Sequence, residues 1–497
     1  MINLYNKTKI LLLLIFLIFV NNAYSQNIED KVTEYKLKNG MKFLLMKRGN
    51  APVFSGFLAF RVGSVDEDVG ITGLAHLFEH MAFKGTDVIG TVDYEKEKPI
   101  IEQINKIGAE LSFEIAKGKM ADSSNIFDLQ KKLKDLEVIH KQYVKNNEFF
   151  QIYDSNGGNG TNAGTGNDIT EYYVNLPSNK LELWMLMESE RIKNPVFREF
   201  YVERDVVAEE RRLRTDTQPS GKLYEEFFAT AFIAHPYHQP IVGWMSDITT
   251  LTVEDATDFY NKYYSPQNAV GALVGDIDVE RAKLLLDRYF GDIPNRGNPK
   301  LVKTIEPEQK GVRTTTVYFK AQPQILIGYH KPTLPDYDDY VFDVINSILS
   351  EGRTSRLYTN LVKEKRLALS IDTYQGYPGA RYDNLFVFDA VPRYPNTNKD
   401  VENAIYQEIE RLKTEPVSEK ELQKVRNQID ANFIRRLNSN SGLASMLGYF
   451  EVIAYDWKYI LKQREIFKKV TPSDIMKVAQ KYFVDDNKTI GYLETKE

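Results

Sequence analysis

His76, Glu79 and His80 are the residues of this sequence whose types and spacing point most directly to chemistry. On a helix of about 3.6 residues per turn, positions i, i+3 and i+4 fall within about 100° of arc, so both imidazoles and the carboxylate share one face. Leu74, Leu77, Phe78 and Met81 lie around the other side, giving the helix an apolar back to set against a sheet. Two neutral imidazoles and a carboxylate suit zinc and leave a fourth position for a water whose pKa falls to about 7. Glu79 is placed to take the proton of that water and later hand it to a leaving amine. The chain has no Cys and only six His, at 76, 80, 140, 235, 238 and 330, so a metal site here must be built from His and carboxylates. A His-x-x-Glu-His cluster is not what so His-poor a composition produces by chance.

A third ligand must come from another segment, and Glu203-Arg204-Asp205-Val206-Val207-Ala208-Glu209-Glu210-Arg211 has helical composition. Glu203 and Glu210 stand seven residues apart, which on a helix means nearly the same face and about 10 Å along the axis. One of them is then able to bind the ion while the other stands behind as a supporting carboxylate. The spacing alone leaves Glu209 and Glu210 equivalent. His235 and His238 flank Pro236, which argues against a second metal there.

The elements that must position these groups are readable in outline. An Asn39-Gly40 turn between two apolar runs predicts a hairpin over Tyr35 to Leu45, and Phe54 to Val62 predicts a further strand. Gly70 to Gly73 introduces the helix of His76. Two segments match at a constant offset of 219: Thr252/Thr471, Asp255/Asp474, Lys262/Lys481, Tyr263/Tyr482 and Asn268/Asn487. Each reads as an N-capped helix, a turn and a strand. The repeat predicts an α+β fold of two homologous domains, 26–294 and 312–497, joined by a linker over 295–311. Between 96 and 160, Ile126, Leu129, Leu133, Leu136, Ile139 and Tyr143 recur at spacings of three and four. That periodicity predicts an amphipathic helix, paired with Ile100 to Leu111 as a helical hairpin inserted into the first domain, and is too short for a coiled coil.

Gly73-Leu74-Ala75-His76-Leu77-Phe78-Glu79-His80-Met81-Ala82-Phe83-Lys84-Gly85-Thr86 resembles the inverted zinc signature of the pitrilysin or insulinase family of metallopeptidases. Asn162-Ala163-Gly164-Thr165 is similar to that family's Asn-Ala-x-Thr element, and Glu203 to Glu210 to its Glu-Arg-x-x-Val-x-x-Glu element. The resemblance spans nearly the whole chain and implies mixed, mainly antiparallel sheets packed with helices. It also implies a zinc-dependent endopeptidase with one zinc per chain on His76, His80 and Glu210, Glu79 as base and Glu203 in support. By the same analogy Asn162 and Ala163 bind substrate, and the Gly-rich loop Asn156 to Asn167 leads into an edge strand near Glu171 to Leu176 that an extended peptide extends by main-chain hydrogen bonds. Single-chain members of the family carry an Arg and a Tyr in their second half that grip the substrate carbonyl. This sequence has Val362 and Leu369 at those places, with Lys363 and Arg366 nearby but out of position. The family's chamber resembles four such domains, and this chain supplies two. A homologous second subunit carrying the Arg/Tyr pair, in a heterodimer or a homodimer, is the expected partner. His80 and Glu210 are 130 positions apart, more than the family's usual interval, and 96–160 accounts for the excess.

The remaining composition is permissive. A chain of 497 residues with 42% hydrophobic and 27% charged content fits two ordinary globular domains, and a net charge of -5 argues against nucleic acid. Lys7 and Lys9, the apolar run Ile10 to Val20 and Ala23-Tyr24-Ser25 read as a signal peptide over 1–25, with a mature start at Gln26. A periplasmic or secreted location with no membrane span after cleavage follows from that reading. The competing classes are a noncatalytic core or structural subunit of the same fold, which has no need of Glu79, and a peptide-binding subunit, which has no need of metal.

Overall fold

The computed structural model describes residues 28–49, 51–297 and 299–496, so the signal segment lies outside the described residues. The hairpin forms as β1 (Val32–Lys36) and β2 (Lys42–Lys47), antiparallel, with Gly40 supplying the positive φ of 94° that its turn demands. With β3 (Val53–Phe60), β4 (Asn159–Thr165), β5 (Thr170–Pro177) and β6 (Ala269–Gly275) it makes a six-stranded sheet in the order β1-β2-β6-β3-β5-β4. The second sheet, β7 (Arg313–Phe319), β8 (Gln324–Lys331), β9 (Ala368–Tyr377), β10 (Asn384–Pro392) and β11 (Lys488–Thr495), runs β7-β11-β8-β10-β9. Strand for strand it repeats the first sheet without β1. In both, the opening strand pairs parallel with the closing one, β2 with β6 and β7 with β11, and the remaining pairs are antiparallel.

One face of the first sheet, carrying Phe43, Leu58, Phe60, Tyr172 and Val174, buries the apolar back of helix α1 (Leu74–Met81). The inserted segment forms the expected hairpin, α2 (Tyr94–Ala116) and α3 (Ser123–His140), with Asp122 capping α3 through the N–H groups of Ser124 and Asn125. Leu129 and Leu133 are buried as their spacing predicts, but Ile139, within α3, is exposed, and Tyr143 lies beyond the helix, which ends at His140. The hairpin is anchored by charge. Glu97 on α2 takes two hydrogen bonds from Arg198, at 2.6 and 3.0 Å, and one from His140 at 2.8 Å, all three side chains being buried. Arg198 also donates to the carbonyls of Lys84 and Thr86, just after α1, and stands two residues before α4 (Phe200–Arg211).

The repeated residues do the same work in each half. In α6 (Val253–Tyr263), which follows α5 (Pro219–Ala231), Thr252 and Asp255 form a reciprocal capping box. Thr471 and Asp474 repeat it in α8 (Pro472–Tyr482), which follows α7 (Asn440–Ala454). The Asn268 amide donates to the carbonyls of Tyr263 and Arg61, and the Asn487 amide to those of Tyr482 and His330, tying helix to strand at equivalent points. The equivalent helices α5 and α7 are exchanged between the halves. Leu223, Phe227 and Ala231 of α5 pack on Val317, Leu326, Val387 and Leu493 of the second sheet. Leu443, Ala444 and Leu447 of α7 pack on Leu44, Phe57, Ala272 and Val274 of the first. Both contacts are tight: a Cβ on Gly448 would lie 2.3 Å from the Phe57 ring, and one on Gly328 would lie 2.6 Å from Phe227. The linker is pinned as well, since the Glu306 carboxylate accepts from the N–H groups of Ile233, Ala234 and His235 at 3.0 Å each.

Candidate active site

Helix α1 is launched by Gly73, whose φ of 86° and close approach to the Val242 carbonyl, 2.4 Å from any added Cβ, leave room for no other residue. The buried Glu67 carboxylate accepts from the N–H groups of Gly73 and Ala75 at 2.8 and 2.7 Å, an acceptor at the positive end of the helix. With α1 fixed this way, α4 crosses so that Glu210 meets both imidazoles. Glu210 Oε1 lies 3.6 Å from His76 Nε2, and Oε2 lies 3.5 Å from His80 Nε2. A tetrahedron with bonds of about 2.1 Å has edges of about 3.4 Å, so these separations are compatible with a zinc shared by the three side chains. Glu209, the alternative that spacing left open, is exposed and pairs with Arg212 at 2.8 Å. Among the described residues, His76, His80 and Glu210 are the one group of three whose ligand atoms converge, all within 4.8 Å of one another.

Glu203 stands behind the imidazole. Its Oε2 accepts from His80 Nδ1 at 3.3 Å, which turns Nε2 toward Glu210, and its Oε1 is held by Lys84 at 2.5 Å. Glu79 lies on the same face of α1, and the Thr165 hydroxyl donates to its Oε2 at 2.6 Å, while among the described residues no hydrogen bond reaches its Oε1. Burial pushes Glu79 above the usual carboxylate range, with the Thr165 hydroxyl and His80 opposing. Burial pushes His76 down to about 4, which favours the neutral imidazole that a metal would require. Burial also works against a charged His80, but hydrogen bonds to Glu203 and Glu210 outweigh it and raise His80 to about 9. The same two carboxylates, Glu203 and Glu210, therefore favour positive charge at this point, which a divalent cation is equally able to supply in place of the proton. Arg214, mostly exposed, adds an ion pair to Glu210 Oε1 at 2.8 Å.

The edge of the sheet falls elsewhere than the sequence suggests. The Gly-rich segment does not merely lead into the edge strand: it contains it, as β4, while β5, with Glu171 to Leu176, lies between β4 and β3. Asn, Gly and Ala, five of the seven residues of β4, have little intrinsic preference for strand, and β4 is extended because β5 supplies the ladder beside it. Asn162 and Ala163 lie on that edge, opposite Tyr173 and Tyr172. Asn162 also lines a pocket of about 280 Å³ shared with Glu79, His80 and Phe83. Its far wall is Val144 to Asn147 and Phe150, from the segment after α3, with Phe150 stacked on Phe83 at 4.5 Å. Sequence reasoning missed this wall, the Lys84 and Arg214 contacts and the Arg198 anchor. The Asn-Ala-x-Thr element was a signal for Thr165 that went unused. In the second half Val362 packs in the core and Leu369 is exposed on β9. His235 Nδ1 accepts from the Tyr237 N–H and His238 Nδ1 bonds the His235 carbonyl, so both shape a turn.

Two homologous α+β halves, with an inverted His-x-x-Glu-His helix facing a glutamate on a second helix, define the architecture of the insulinase peptidases. Residues 43–122 and 140–243 match the model of the insulinase family, peptidase family M16, and residues 250–429 match that of the peptidase M16 inactive domain. The chain belongs to this family. The interruption between 122 and 140 coincides with α3. Zinc protease PqqE of Helicobacter pylori is 28% identical over 95% of each chain. An uncharacterised zinc protease of Mycobacterium leprae is 23% identical over 79% of this chain and 76% of its own length. Among solved structures, a protease from Helicobacter pylori has a TM-score of 0.78 at 27% identity, covering 93% of this chain and 99% of that one. The first half of the periplasmic protease PqqL from Escherichia coli shares the fold at a TM-score of 0.67 and 18% identity, over 93% of this chain and 92% of that one.

Proposed function

We propose that this chain is a zinc-dependent endopeptidase acting on peptides or short unfolded polypeptides. The observation that carries the reading is the convergence of His76 Nε2 and His80 Nε2 on the Glu210 carboxylate, with the Glu79 carboxylate beside them on the same helix face. His76, His80 and Glu210 would hold one zinc, and Glu203 would fix the His80 tautomer. Zinc supplies, when bound, polarisation of the scissile carbonyl and a water acidic enough to ionise near neutral pH. Glu79 Oε1, the oxygen Thr165 leaves free, accepts the proton of the attacking water and then delivers it to the leaving amine. An extended peptide adds to the outer edge of β4 at Asn162 and Ala163, so backbone is recognised and a folded substrate is refused.

The missing Arg/Tyr pair supports the further reading that a homologous second subunit completes the carbonyl grip. Val362 and Leu369 have no groups able to hydrogen-bond an oxyanion. Among the described residues no helix is long and apolar enough to cross a membrane. A periplasmic or secreted site of action rests on the signal-like pattern of residues 1–25, and a mature amino terminus at Gln26 is its test. The noncatalytic alternative draws on the match of residues 250–429 to an inactive-domain model. The deciding experiment is Glu79→Gln: zinc content by elemental analysis stays at one per chain, and peptide cleavage falls by at least about a hundredfold. Unchanged cleavage would remove Glu79 from the mechanism. Full activity of the isolated chain as a monomer in size exclusion would remove the second subunit.

A further inference from the structure

The face of the first sheet that receives α7 is covered unevenly. Beyond the contact with β3 and β6, a pocket of about 300 Å³ opens between β5 and the first turns of α7, bounded by Ser55, Tyr173, Asn175, Ser441 and Ser445 with Glu171 at its side. Glu171 is the one carboxylate in that lining, which contains no Lys, Arg or His. Other carboxylates around the site have donors: Glu79 has Thr165, Glu203 has His80 and Lys84, and Asp168 has Arg381 and Tyr237. No donor or cation among the described residues is paired with Glu171, and its burial together with the Glu79 charge raises it to about 7. A half-buried carboxylate without a partner is disfavoured in the free protein, and a cation arriving there would relieve it.

The register of the edge strand gives that cation a route. Gly164 of β4 stands opposite Glu171, and Asn162 opposite Tyr173. Strand alternation puts Gly164 on the face of Glu171, and a Cβ placed on Gly164 would meet nothing within 4 Å. The outermost strand thus has a side-chain gap directly in front of the carboxylate. A peptide added outside β4 lies about two strand spacings, roughly 10 Å, from the β5 backbone. The long stems of lysine and arginine cross that gap toward Glu171, and short side chains do not. Tyr173, 37% exposed on the same face, offers a ring to the cation.

We propose that the pocket beside β5 and α7, with Glu171 as its acid, takes a lysine or arginine side chain of the peptide laid along β4, and so selects substrates with a basic residue at one position of the added strand. The inference rests on the reading of β4 as the substrate-adding edge. The test uses peptides in which lysine or norleucine is moved through each position in turn. At one position lysine is favoured in kcat/KM by at least about tenfold, as a hydrogen bond to a charged group allows. Glu171→Gln brings that ratio to within about twofold, and Glu171→Lys turns the preference toward glutamate, with circular dichroism confirming that both variants fold. A lysine preference equally strong in wild type and Glu171→Gln overturns the proposal. Binding of the same peptides, read by fluorescence anisotropy, separates this failure from failure of the peptidase reading. If nothing is cleaved, a lysine preference in binding that Glu171→Gln abolishes still supports the pocket, and equal binding of lysine and norleucine peptides refutes it.

Discussion

Replacing Glu97 by Gln leaves the shape of the inserted hairpin unchanged and removes the charge that holds it to the site. Glu97, Arg198 and His140 are buried together, and Arg198 reaches the carbonyls of Lys84 and Thr86 at the end of α1. Burial by itself would raise the Glu97 carboxyl, but His140 and Arg198 hold it at about 2 against an ordinary 4.5. Because the folded value is depressed, the stabilisation is fully present above pH 4.5 and is lost as the pH falls toward 2. The gap is worth about 3 kcal/mol at pH 7 and about 1 kcal/mol at pH 3. The pH 7 figure agrees with the roughly 3–5 kcal/mol cost of stripping one partner from a buried ion pair. Urea unfolding of wild type and Glu97→Gln, followed by circular dichroism at both pH values, measures the difference directly. A penalty below about 1 kcal/mol at pH 7, or one that does not shrink at pH 3, would falsify the account of the hairpin as charge-anchored.

Thr165→Val removes the hydroxyl that favours the ionised form of Glu79. Its carboxyl then titrates higher and the acidic limb of kcat/KM moves to higher pH, whereas an unmoved limb contradicts the contact. Glu203→Gln frees His80 Nδ1 from its carboxylate, and zinc affinity measured by competition with a chelator drops about 10–100-fold. Phe227→Ala, in the half that carries the candidate metal site, costs about 3–5 kcal/mol and speeds amide exchange in β8 and β11 of the other half. Exchange in those strands at the wild-type rate would mean that α5 does not support the second sheet.

His76, Glu79 and His80 were legible because three residues within one helical turn fix their own geometry. From spacing alone Glu210 was legible only as one of a pair, and it was the resemblance to the Glu-Arg-x-x-Val-x-x-Glu element that singled it out. Which of two adjacent glutamates faces the imidazoles depends on how α4 rolls against α1, and that is set by Phe200 and Val207 in a core assembled from distant segments. The repeat was readable at Thr252/Thr471 and Asn268/Asn487 because caps and strand-entry amides are local devices that tolerate few other residues. The edge strand was not, since Asn159 to Thr165 carries no apolar alternation and takes its conformation from β5. Nor was the exchange of α5 and α7, because an apolar helix face does not state which sheet it will cover. The hairpin was visible in its periodicity, whereas the wall made by Val144 to Phe150 follows no periodicity at all.

The exchange of α5 and α7 also governs how the molecule is able to move. A clamshell enzyme admits its substrate by swinging two lobes about a flexible strap, and here the strap is fastened down by Glu306 while each lobe carries a helix embedded in the other. Parting the lobes would pull Phe227 off the second sheet and Leu447 off the first at once, exposing apolar area at about 25 cal/mol per Å² with no compensating contact. The chain is thus one rigid jaw rather than a mouth. On the proposed reading, the motion that would let a polypeptide in, and the clearance that would set how bulky it is allowed to be, fall to the second subunit closing against the open edge of β4.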